Sequence, residues 1–369
     1  FVKVKTWNRA MDEIGNYDLR KQVIEILKKV IARFSKMSIL VTMREIAAEF
    51  RPGKELELTP LSIDEIQEFI TRWLDKPNSI IRDQFIKKIQ KDRKYQVMMS
   101  NPQMLYMLVK QLKEQQQPSD QVNPFPDRKG KLYQMFINHF LEERPGMRLS
   151  PDVATDPAVI TLSRSVVKKK RYLSKIAYEM QIANNGQGQW HADQTQMVSW
   201  IQDADPTLSE EQATSCLVFL VEEIGLLREV SNHRYYGFSH FPFQCYFTAQ
   251  YFLEKPQKFY SELIERAMRP GWQEVFILYY FLKHPEDRTF IQMLVDGTEE
   301  NIFGTLLLLA GKCICERDQD YHSETHRLVT HKLYSLYRDS PWLGKKRKVF
   351  DVIKQLPNID LIEFIQEEI

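Results

Sequence analysis

The stretch Tyr235-Tyr236-Gly237-Phe238-Ser239-His240-Phe241-Pro242-Phe243-Gln244-Cys245-Tyr246-Phe247-Thr248-Ala249-Gln250-Tyr251-Phe252 decides how the rest of the chain is read. It reads as a short strand that turns at a histidine directly into an apolar, aromatic helix. Before it, Leu226-Leu227-Arg228-Glu229-Val230 is a second strand candidate, and Ser231-Asn232-His233 supplies hairpin turn chemistry between the two. Residues 217–224 read as the last turns of a buried helix. Helix, hairpin and helix thus follow one another, with His240 at the corner between strand and helix.

That order is the outline of a winged-helix unit. A histidine at such a corner is either a structural junction residue or a group presented to whatever docks on that end. The 369 residues suggest two or three domains. Hydrophobic residues make up 43% and charged residues 27%, ordinary for a globular chain with a sizeable core. A net charge of +2 argues for neither a nucleic-acid nor a membrane surface by itself. The four cysteines, Cys216, Cys245, Cys313 and Cys315, form no zinc pattern and no disulfide framework, so reduced, buried thiols in a cytoplasmic protein are expected. No apolar run approaches the ~18 residues of a membrane span, and no signal peptide is visible. The chain opens at Phe1 rather than Met, as a fragment or a processed product would.

Near the start, Asp12-Glu13 precedes an amphipathic helix over residues 18–34, and Ser38-Ile39-Leu40-Val41-Thr42-Met43-Arg44 is the kind of run that fills a buried parallel strand. Acidic pair, helix and strand ending in Thr-x-Arg match the second half of a P-loop ATPase core. Asp12-Glu13 resembles a Walker B pair, in which one carboxylate holds Mg²⁺ and the other polarises water; Arg44 matches the Arg ending the sensor strand. The alternative for Asp12-Glu13 is a charged helix start, because Thr6-Trp7-Asn8-Arg9 is not the apolar strand that Walker B requires. No G-x-x-x-x-G-K-[ST] occurs, so this chain alone is not expected to hydrolyse ATP; ATPase activity would require a P-loop supplied upstream.

Farther on, Ser62 and Glu65 form a capping box before a helix whose buried face is Ile66, Phe69, Ile70, Trp73 and Leu74. A basic helix over residues 80–91 reads as a solvated face rather than a nucleic-acid patch. Asn101-Pro102 opens the next helix with Asn as N-cap and Pro at the first position. Residues 115–130, with Pro118, Pro124 and Pro126, read as a linker, and residues 150–161 as a loop. A helix over residues 166–182 carries Lys168-Lys169-Lys170-Arg171, read as a solvated helix start. Past Glu254, short helices between Pro, Gly and Asp breaks suggest stacked pairs of the HEAT kind. His322 and His326 are the only metal-like pair, without the acidic base of a zincin.

The string Phe-Ser-His-Phe-Pro-Phe-Gln-x-Tyr-Phe-x-Ala-x-Tyr-Phe, together with residues 56–73, resembles NACHT-type STAND NTPases, which are signal-transduction ATPases. The resemblance covers roughly residues 8–315. One departure is Cys245, where that family usually has an acidic residue. The resemblance implies that His240 reaches a phosphate of ADP and holds a closed state, that Pro102 sits against the adenine or ribose, and that Asp12, Glu13 and Arg44 are catalytic, with Asp12 on the metal. The implied cofactors are ATP/ADP and Mg²⁺, given the missing P-loop segment. The fold class expected is mainly α with a small α/β part. Residues 1–60 would be the edge of a P-loop core, 61–127 a small helical domain, 128–254 a winged-helix region and 255–369 a HEAT-like array. Such a chain would be the regulatory part of a nucleotide-switched protein, as in defence signalling, that self-associates through its NTPase module while a C-terminal region senses a protein partner or ligand. The alternative is a HEAT-like interaction adaptor that has lost nucleotide binding.

Overall fold

The computed structural model describes residues 60–74, 79–114, 125–126, 128–142, 151–184, 191–231, 235–256, 260, 265–283, 287–297, 304–316 and 324–356, with Lys29 and Arg33. Two units separate, Phe1–Thr59 and Pro60–Ile369. Of the first, only Lys29 and Arg33 are described, both helical and exposed. The second is mostly helical and contains a three-stranded antiparallel sheet.

Helix α1 (Ile63–Trp73) starts at the capping box: Ser62 Oγ accepts from the Glu65 amide at 3.3 Å, and Glu65 Oε2 accepts from the Ser62 amide at 2.8 Å. Ile66, Ile70 and Leu74 recur every fourth residue and are buried. They face α2 (Ser79–Lys91) and α4 (Pro102–Glu114), with α3 (Arg93–Met99) between those two in the chain. Trp73, expected in the buried face, is 40% exposed. It stacks on Phe69 at 5.4 Å and meets Tyr106 edge-on at 5.6 Å, so it covers the helix pair from outside. Asn101 Oδ1 accepts from the Met104 amide at 3.3 Å and starts α4, whose Leu105, Leu108 and Leu112 are buried.

Helix α5 (Lys129–Glu142) takes in Gly130, which the sequence places in the linker. A Cβ on Gly130 would lie 2.5 Å from Phe281 Cδ1, so glycine is what lets α5 approach the later helix carrying Phe281. The stretch expected to be a loop forms α6 (Pro151–Ala154) and α7 (Pro157–Arg164). Its Asp and Pro are cap chemistry: Asp156 Oδ1 accepts from the Ala158 amide at 2.8 Å, and Pro157 occupies a first-turn position that needs no N–H partner.

The lysine run of α8 (Val166–Ala183) is not solvated as expected. Lys169 is 2% exposed and its Nζ donates to the Leu141 carbonyl at 2.7 Å, at the C-terminal end of α5. That carbonyl has no partner within its own helix, so the ammonium satisfies it while the stem lies in the core. Lys170 Nζ donates to Asn138 Oδ1 at 3.1 Å, and Lys168 Nζ pairs with Asp205 at 3.1 Å. Asp205, buried, also accepts from Thr207 Oγ1 at 2.6 Å and Tyr172 Oη at 2.8 Å.

Strand β1 (Ala192–Asp193) leads into α9 (Gln194–Ala204) and α10 (Glu210–Phe219), which ends in a π-helical turn, Leu220–Ile224. Gly225 follows at φ 69°, a left-handed position open to glycine without strain, and turns the chain into β2 (Leu227–Ser231). Strand β3 (Tyr235–Phe238) pairs with both others, giving the order β1-β3-β2. The hairpin and the helix after it, α11 (Phe241–Glu254), lie where the sequence placed them. Phe238, Phe243, Tyr246, Phe247 and Phe252 are all buried.

Beyond α11 come α12 (Pro270–Leu282), α13 (Arg288–Asp296), α14 (Thr305–Cys315), α15 (Glu324–Asp339) and α16 (Leu343–Ile353), each in contact with a neighbour. Buried Asp287 ties the first two together, accepting from Tyr260 and Tyr279 hydroxyls at 2.7 and 2.8 Å and capping α13 through the Phe290 amide at 3.0 Å. Cys216, Cys245, Cys313 and Cys315 are buried and form no disulfide.

Phe247→Ala is expected to cost about 3–5 kcal/mol of stability, read by denaturant unfolding. The Asp205 carboxyl is held well below the usual carboxylate range, first by Thr207, then by Tyr172 and Lys168, against its burial. Its folded pKa lies below its unfolded one, so its contribution is complete above about pH 4 and is lost as pH falls through the folded value. Asp205→Asn should remove about 1.5–3 kcal/mol at neutral pH and flatten that acid limb of the stability profile.

Candidate functional site

The strand-to-helix corner places His240 by backbone constraints on both sides. Ser239 donates to the Leu226 carbonyl through its amide at 2.9 Å and its hydroxyl at 3.2 Å, which closes the end of the hairpin. His240 is then the extended N-cap residue of α11, and its carbonyl accepts from the Phe243 amide at 3.0 Å. Its imidazole makes no capping hydrogen bond. The ring retains solvent access and meets Phe243 edge-on at 5.5 Å.

Two more basic groups belong to this corner. Arg228 of β2 is paired with Gly237 of β3, while Ala192 of β1 is paired with Tyr236. His191, one residue before Ala192 on an antiparallel neighbour, is therefore level with Gly237 from the other side. Glycine in the middle of that row leaves no side chain between His191 and Arg228. The Nε2 of His191 is buried without a hydrogen-bond partner. Burial first, and the Arg228 charge second, push both the His191 and His240 imidazoles below 6.5. At neutral pH the corner thus holds a guanidinium and two neutral imidazoles, each with an N–H to donate. Its chemistry suits an anion such as a phosphate: a nearby negative charge would oppose the Arg228 effect and favour protonated imidazole.

Of the other residues singled out in the sequence, Asp12, Glu13 and Arg44 lie outside the described residues. Pro102 is the exposed first residue of α4, on a different element from His240. His326 is buried on α15, whereas His322 lies outside the described residues. Among the described residues, no group of three or more His, Cys, Asp or Glu is placed to hold a metal, and no helix is long and apolar enough to cross a membrane. Sequence reasoning missed His191 and Arg228 as site residues. Strand β1 is two residues long and has no periodicity to reveal it, so the row it completes appears only in the folded sheet.

No family model matches the chain, and comparison with curated proteins finds no match.

Followed by imidazole NMR, His191 and His240 should both titrate below about 6.5. Arg228→Gln should raise both midpoints, though not fully to the ordinary value, because burial is the larger cause. An unchanged pair of midpoints would dissociate Arg228 from the two rings.

Proposed function

We propose that the chain is the regulatory part of a nucleotide-switched signalling ATPase of the NACHT type, in which His240 is the latch of the closed state. In this reading residues 128–254 are the winged-helix region, 61–127 a small helical domain, 255–369 a HEAT-like array and 1–60 the edge of the P-loop core. The observation that carries it is the His240 corner: an imidazole without a capping bond, beside Arg228, with His191 across β3 from that arginine and its Nε2 without a partner. A helix pair, a hairpin with the strand order β1-β3-β2 and a following helix support the winged-helix assignment.

These residues fit a phosphate. ADP, when bound, would supply that negative charge. His240 would donate to the phosphate only in the closed state, so the bond biases closed over open by its differential energy alone. Arg228 adds positive charge, and Phe243 orients the ring. A charge-assisted bond of this kind is worth about 1.5–3 kcal/mol, which shifts a poised equilibrium by one or two decades. Exchange to ATP would release the contact and free the NTPase module to self-associate. The Mg²⁺ and catalytic roles of Asp12, Glu13 and Arg44, and the nucleotide contact of Pro102, belong to the same proposal.

In a form of the protein that carries a P-loop, His240→Leu should release ADP roughly ten- to hundredfold faster and shift the size-exclusion profile toward assemblies, with helix content unchanged. Identical ADP release from a folded variant would reduce His240 to a packing residue. It would also favour the adaptor reading, in which the array serves protein interaction without nucleotide.

A further inference from the structure

Helices α15 and α16 meet through the short link Ser340-Pro341-Trp342 and leave an apolar tip uncovered. Trp342 is 69% exposed, Leu343 73% and Phe350 47%. Leu343 and Phe350 lie two turns apart on one face of α16, while Val349, Val352 and Ile353 on the other are buried. Tyr337 of α15 extends the exposed face, with its ring 6.0 Å from that of Phe350. Cations surround these rings. Lys346 and Arg347 flank the Leu343–Phe350 face of α16; Lys346 lies over Tyr337 at 5.6 Å, with its Nζ donating to the Arg338 carbonyl at 3.2 Å, and Lys354 lies over Phe350 at 5.4 Å. The acids beside them, Asp339 and Asp351, are paired with Arg338 and Lys354. Nothing in the nucleotide reading uses this surface.

We propose that the α15–α16 tip binds the surface of an anionic lipid bilayer. The two exposed classes of side chain call for different parts of one partner. Lys346 and Arg347, on either side of that face, place positive charge where lipid headgroups supply the negative charge of the membrane plane. Trp342 suits the headgroup boundary, where one side of its ring is apolar and its N–H stays wet. Leu343 beside it gains only from an apolar medium, which lies a few ångströms deeper. A nucleic acid would satisfy the cations and could stack on Trp342 but offers aliphatic Leu343 little. The association is peripheral, since no described helix is long and apolar enough to cross. It stands independently of the His240 latch.

The test is cosedimentation of the whole chain with phosphatidylcholine vesicles, with and without phosphatidylserine, at low and high salt. Binding is expected to the anionic vesicles, weakly or not at all to the neutral ones, and to fall with salt. The variant Trp342→Ala/Leu343→Ser should lose roughly tenfold or more in partitioning while keeping the salt dependence. The variant Lys346→Gln/Arg347→Gln should lose roughly tenfold or more. All these positions are on the surface or partly so, and circular dichroism checks that each variant is folded; Trp342→Ala alone is the milder control. Equal binding to neutral and anionic vesicles would overturn the proposal, as would full binding by both variants. Binding to a single-stranded oligonucleotide that depends on the same residues, without vesicle binding, would overturn it in favour of a nucleic-acid partner.

Discussion

The structure depends on burying one helix on every side. In α11, residues 243–249 are buried without a break, nearly two turns, so no face is left for water. A helix of that kind is stable only if other elements surround it. Helices α5, α8 and α12 and strand β3 all contact it. Phe136 stacks on Phe243 at 5.6 Å, Tyr178 on Tyr251 at 4.2 Å, and Phe238 on Phe247 at 5.9 Å. Each buried aromatic contributes about 1.5–3 kcal/mol relative to exposure. The functional consequence is positional. Because residues from 243 onward are locked in the core, the backbone of His240 is held at the edge of a rigid body.

Such a core must also satisfy the polar groups it encloses. Gln244 Nε2 donates to Gln181 Oε1 at 2.7 Å, and Gln181 Nε2 donates to the Gly271 carbonyl at 2.9 Å, so one chain of amides links α11, α8 and α12. Lys169 and the Leu141 carbonyl solve the same problem at the end of α5. At the other end of that helix, Glu316 Oε2 accepts from the Gly130 amide at 3.3 Å, joining α5 to the end of α14. Burial pushes the Glu316 carboxyl up, and the nearby Lys129 charge opposes that. Leaving any of these buried groups unpaired would cost about 1–3 kcal/mol, which makes them constraints on how the helices fit together.

Much of the fold was legible because local chemistry carries it. The capping box at Ser62, the Asn101-Pro102 helix start, the two strands around Ser231 and the aromatic helix after His240 each depend on residues within a few positions of one another. Readings failed where the deciding partner is remote in sequence. Lys169 looks solvated until the Leu141 carbonyl is brought to it. Gly130 looks like linker until Phe281 occupies the place of its missing side chain. Trp73 follows the periodicity of its helix yet ends on the outside, because Phe69 and Tyr106 hold it there. Residues 151–164 carry Pro and Asp signals that serve loops and helix starts equally well, and only the Asp156 cap distinguishes them.

The candidate site divides in the same way. By itself the sequence determined that a histidine stands between a strand and an apolar helix, since alternation, turn residues and aromatic periodicity are all local. It also determined that the cysteines form no metal-binding or disulfide pattern by spacing. Only the tertiary structure decided which groups His240 keeps company with. His191 and Arg228 are far apart in the chain and come level because β3 lies between β1 and β2, with Gly237 in the middle of the row. Pairing across a sheet depends on register, and register is set by which faces are buried. No window of sequence around His240 contains that information.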